Sequence, residues 1–170
     1  MAKTSSAKSD KKLSKKDFGI NWSGLGHASL RFPLREDSPL EMRSEREYAT
    51  FLLAWEAYRI LDLLERRAID LVDQYSKFRS REQFTEALRS QYFENSWPMM
   101  SHVDFELGIR LSSIFNVLHE LKVALTHTDS MPFTVKSRID DDLAALKDAW
   151  TQVRDLLESR YGWRLKRIAE

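Results

Sequence analysis

The sequence contains no cysteine, which removes disulfides, thiolate nucleophiles and cysteine-based zinc or iron–sulfur sites together. It also fits a reducing compartment. Glycine and proline are scarce, five and four in 170 residues, too few for the many turns of an all-β fold. No apolar run approaches the ~20 residues needed to cross a bilayer. The lysine-rich N-terminus lacks the apolar stretch of a secretory signal. These absences predict a cytoplasmic protein that does not enter a membrane. What is present is ordinary for a globular chain: 42% apolar and 31% charged residues, in a length that suits one domain with a core of its own.

The net charge of +1 hides an asymmetry. Residues 1–17 hold six lysines against Asp10 and Asp17, and the rest of the chain holds 21 basic and 24 acidic residues. The body therefore lacks the basic balance of a dedicated nucleic-acid binder. The leader reads as a disordered, solvated tail. Its Lys11, Lys12, Lys15 and Lys16 are candidate contacts to RNA phosphates, through salt-dependent counterion release. Residues 18–40 are different in kind. Phe18, Trp22, Leu30 and Phe32 predict an extended arm that docks on the body or on a protein partner. Residues 41–170 form the remaining unit, a helical domain.

Four helices are predicted there. The first follows a capping-box pattern, Ser44 with Glu47, and runs to about Tyr75. Leu53, Ala57, Ile60, Leu61, Leu64, Ala68, Leu71, Val72 and Tyr75 recur along it at helical steps. A short second helix follows Ser80–Gln83, with Phe84, Leu88 and Tyr92 on one face, and ends before Pro98. The third opens at Ser101 and Asp104. Its stripe, Val103, Leu107, Leu111, Ile114, Leu118, Leu121 and Leu125, has the strongest period in the chain. It stops near His127, where "TDSMP" supplies turn formers. The fourth opens near Ser137, buries Ile139, Leu143, Leu146, Trp150, Val153 and Leu157, and stops at Gly162. The last residues read as a basic-apolar tail. Short connections between amphipathic helices predict an all-α antiparallel bundle.

Few chemistries fit this pattern. There is no Gly-x-Ser-x-Gly elbow and no His-Glu-x-x-His. Asp140, Asp141 and Asp142 stand at the expected start of the last helix, where its dipole favours acids whatever the function. Neither metal nor cofactor is predicted. Trp55, Tyr58, Trp97, Trp150 and Trp163 have faces on which bases stack, but Trp55 and Trp150 also fit core stripes. What remains is "HELKVALTH", His119 to His127. An imidazolium at a helix C-terminus is stabilised by about 0.3–1 kcal/mol, a structural reason for His127. Histidine also moves protons near neutral pH, and a nearby cation stabilises charge developing on a phosphate.

Two segments, "FLLAWEAYRILDLLERRAIDL" (51–71) and "NVLHELKVALTHTDS" (116–130), resemble the HEPN domains, small helical bundles of prokaryotic toxin–antitoxin and defence systems. Residues 51–71 are similar to their long first helix with its "WEAY"-like signature. Residues 116–130 are similar to the segment in which an arginine precedes a histidine before a polar turn. The resemblance implies either a metal-independent RNase that dimerises to bring two motifs together, or an inactive binding or regulatory module. His127 would be its general acid/base. Lys122 stands where the family arginine falls, with Val123 at the usual polar neighbour. Lysine keeps the charge but loses the planar, bidentate grip on phosphate. The expectation is therefore a HEPN-like, non-catalytic interaction module working through a protein partner or homodimer, with RNA as a further partner. Its rivals are the RNase, with His127 and Lys122 catalytic, and a helical subunit of an unrelated assembly.

Overall fold

The computed structural model describes residue 35 and residues 44–90, 103–127 and 131–169. The lysines of the leader, and Phe18, Trp22, Leu30 and Phe32 of the arm, lie outside the described residues, as do His27, Tyr92, Trp97, Ser101 and His102.

The first helix, α1, spans Glu45–Phe78. Ser44 is extended and its Oγ accepts from the Glu47 N–H at 3.2 Å, so one of the orphan amides of the first turn is satisfied. The helix continues about a turn beyond Tyr75 and closes on Arg79 in the left-handed region, φ 52°, whose N–H donates to the Tyr75 carbonyl. At ~1.5 Å per residue it is about 51 Å long. Every member of its predicted stripe is buried except Ala68, which is half-buried.

α2 is one and a half turns, Glu82–Ala87. The Ser80–Gln83 pair does not cap it. Arg81 is the residue before the helix, and the pairing is reversed: Gln83 Nε2 donates to the Ser80 carbonyl at 3.0 Å. Phe84 packs against Tyr75, ring centroids 5.7 Å apart, which fastens α2 to the end of α1.

α3 spans Phe105–His127 and is capped by Asp104, whose Oδ1 accepts from the Glu106 N–H at 3.1 Å and the Leu107 N–H at 3.5 Å. Its whole leucine stripe is buried. α4 spans Pro132–Tyr161 and begins five residues before the expected Ser137. The proline expected in the turn after α3 is the first residue of α4. Its locked φ and missing N–H suit that position, and Met131 before it is extended. Asp140, Asp141 and Asp142 consequently lie in the third turn, beyond reach of the dipole. They are matched instead one turn back, by Lys136, Ser137 and Arg138. Gly162, φ 70°, ends the helix as expected.

Cross-helix pairs give the topology. Phe51 meets Trp163, Tyr58 meets Trp150, and Glu65 meets Lys147 at 3.0 Å, so α4 runs antiparallel to α1. Arg160 bonds Glu106, and Gln152 bonds Arg110, so α4 is antiparallel to α3 as well. The result is an all-α bundle of three long helices and one short one among the described residues. Its core lies between α1, α3 and α4, and α2 closes the end where α1 and α3 finish.

The terminal segment is more than a tail. Trp163 and Leu165 are buried. Trp163 stacks on Tyr161 at 4.7 Å and meets Phe51 edge-on at 5.7 Å. Beyond it, the Lys166 carbonyl accepts from Trp150 Nε1, and the Ala169 N–H donates to Asp62. Residues 163–169 thus fold back along α1, and the Arg35 N–H donates to the Arg164 carbonyl on the same segment.

Candidate functional site

The sequence-derived candidates sit on the last two turns of α3. His127 and His119 are exposed, and Lys122 is half-buried at the border of the core. At ~100° per residue, His127 and Lys122 leave the helix about 140° apart. Lys122 lies on the side of Phe115 and Thr126, whereas His127 points away from the bundle. Within one chain the two side chains diverge rather than converge on one phosphate. The helix end itself is held by Arg81, whose Nη1 donates to the Thr126 carbonyl at 3.1 Å. A guanidinium on a terminal carbonyl offsets the negative end of the helix dipole there.

The aromatic candidates divide by burial. Trp150, Trp163 and Tyr58 are buried in the core and present no face to a base, and Trp55 is half-buried against it. The glutamate of the "WEAY" signature has a structural place. Glu56 is 1% exposed, and its Oε2 accepts from Ser90 Oγ at 2.8 Å. One turn on, Arg59 donates to the Arg89 carbonyl at 2.7 Å. Together they tie the segment after α2 to the middle of α1. A buried carboxylate needs such a donor, because an unmet one costs several kcal/mol.

The feature with an open face lies elsewhere. Phe105, Glu106, Ile109, Arg110 and Ser113 of α3 face Ala149 and Gln152 of α4 across a groove of about 450 Å³. Its wall carries two large apolar side chains in the open, Phe105 at 82% and Ile109 at 54% exposure. One end is closed by an ion cluster. Arg160 bridges Asp104 and Glu106, Arg110 approaches Glu106 at 3.4 Å, and Arg110 also bonds Gln152. Desolvation pulls the Asp104 carboxyl up. It is outweighed by the hydrogen bond and charge of Arg160 and by the Leu107 and Glu106 amides, so the group titrates below the ordinary carboxylate value. The hydrogen bond and charge of Asp104, with the charges of Glu106 and Tyr161, overcome the desolvation of Arg160 and hold its guanidinium above its ordinary value.

The sequence held a signal for this groove. Phe105 and Ile109 form an i, i+4 apolar pair on the side of α3 opposite the leucine stripe, where a helix buried on one side carries polar residues. Among the described residues no three histidine or acidic side chains gather as a metal-holding group, and no helix is long and apolar enough to cross a membrane. The sequence matches no protein-family model, and no curated protein or solved structure is detectably similar to it.

Proposed function

We propose that this chain is a non-catalytic helical interaction module, HEPN-like, that serves a bacterial toxin–antitoxin or defence type system by binding a protein partner. The observation that carries the binding reading is the apolar wall of the α3–α4 groove. Phe105 and Ile109 stand in water beside a charged, well-tied rim. Single exposed apolar residues are ordinary, but an aromatic and an aliphatic side chain one turn apart over a concave surface make an anchor for a partner. Each Å² of that surface removed from water contributes about 25 cal/mol. The bacterial context rests on the two segments that resemble HEPN domains. The divergence of His127 from Lys122 supports a binding role over an RNase.

Replacing Phe105 and Ile109 together by alanine tests the proposal, because both are exposed and neither supports the core. The double variant is expected to keep the wild-type melting temperature and to lose at least tenfold in affinity for any purified partner. Unchanged affinity would remove the groove from the interface.

A further inference from the structure

The terminal segment meets a residue from the far end of the chain. Arg35 is exposed, and its N–H donates to the Arg164 carbonyl at 2.8 Å. Next to Arg164, Leu165 is 2% exposed and has the hydrogen bonding of an isolated β-bridge. The residues leading to Arg35 read Leu30-Arg31-Phe32-Pro33-Leu34-Arg35. Large apolar side chains at every second position make the period-2 pattern of a strand with one buried side. Arg35 belongs to the other side of that pattern, in keeping with its exposure.

We propose that residues 32–35 pair antiparallel with residues 164–167 of the same chain, with Arg35 opposite Arg164, Leu34 opposite Leu165 and Pro33 opposite Lys166. In an antiparallel pair, positions that exchange hydrogen bonds alternate with positions that do not. Arg35 and Arg164 occupy a bonded position. Leu34 and Leu165 then face each other at an unbonded one, where side chains come closest. Leucine covers leucine on the buried side, and Phe32 follows on that same side. Pro33 and Lys166 are the next bonded position. Proline has no N–H to give, so this register leaves the Lys166 carbonyl without one of its bonds. Trp150 Nε1 donates to that carbonyl at 3.3 Å. The core indole thus supplies the one hydrogen bond that the register withholds. A slip of one residue breaks the Arg35 bond and turns Leu34 and Phe32 to water.

The terminal segment is thereby a docking edge, and its occupant is the chain's own arm. Strand addition to an exposed edge draws affinity from main-chain bonds and selectivity from alternate side chains. Phe32, which the sequence offers as an anchor for a partner, goes instead to the chain's own core. Phe18 and Trp22 lie upstream of the pairing and remain the arm's anchors for a partner. None of the residues lining the α3–α4 groove takes part, so the pairing holds or fails independently of the proposed partner site.

The absence of cysteine makes the test direct, since two introduced thiols have only each other within the chain. Facing residues at an unbonded antiparallel position have Cα atoms about 4.5 Å apart, within the ~4.4–6.8 Å that a disulfide spans. The full-length Leu34→Cys/Leu165→Cys variant, under mild oxidation, is expected to close a disulfide within one chain. It should do so at least tenfold faster than Arg35→Cys/Leu165→Cys, whose side chains leave opposite sides of the pair. Equal rates would overturn the register. A disulfide formed mainly between two chains would overturn the pairing within one. The unmodified protein gives a second measurement that does not depend on a variant's folding. A nuclear Overhauser contact between the Cα hydrogens of Leu34 and Leu165 is expected. Its absence, with both residues assigned, would overturn the proposal.

Discussion

Among single residues, the sharpest correction concerns Trp163. Its position after the helix-ending Gly162, in a basic sequence with no period, reads as tail. Besides its stack on Tyr161, it is the long-range contact with Phe51, more than a hundred residues away, that ties it to the core, and no local pattern announces such a contact. Its side chain is 1% exposed, so truncation removes a large apolar group and leaves a cavity. Trp163→Ala is expected to destabilise the protein by about 3–5 kcal/mol in urea unfolding. A loss below about 1 kcal/mol would mean that the terminal segment is not part of the cooperative unit. Ser44 shows the opposite case. Its capping role is legible, because a serine three residues ahead of a glutamate at the start of an apolar stripe carries its own mechanism.

Among the helices, periodicity is the dependable signal and boundaries are not. Every residue of the α3 and α4 stripes is buried, since a 3.6-residue repeat of leucine has one way to leave water. The start of α4 is hidden because a proline in a turn-forming stretch reads as a stop, whereas Pro132 is the first residue of the next helix. The acidic run at 140–142 then resembles a dipole site, although its charges are matched one turn back. Asp104 is where element and charge meet, since it caps α3 and ties it to Arg160 of α4. Its folded carboxyl titrates below its ordinary value of 3.8, so its ionised form adds stability that is present above that value and lost as pH falls through the folded one. Asp104→Asn keeps the capping oxygen and removes the charge. Melting curves should show the wild type more stable near neutral pH, with the gap narrowing as pH falls below the ordinary carboxylate value and through the lowered folded one. An offset that does not change with pH would assign the effect to the cap alone.

Taken whole, the molecule is a scaffold that absorbs most of its polar chemistry into its own structure. Glu56 meets Ser90, Arg81 meets the end of α3, and the acids of α4 meet their neighbours. Among the large apolar side chains it leaves in water are Phe105 and Ile109, on the wall beside α4. Apart from Arg35, the arm and the basic leader, where the sequence reading expects further partner and RNA contacts, lie outside the described residues. His127 is the strongest chemical candidate in the sequence because spacing along a helix says little about what lies opposite it. In the fold it faces away from Lys122. The proposed role makes α3 a surface that binds and does not catalyse. Its test is incubation of the purified full-length protein with labelled RNA in EDTA, wild type beside His127→Ala. The same RNA profile is expected for both, and cleavage by the wild type that disappears in His127→Ala would contradict the binding role.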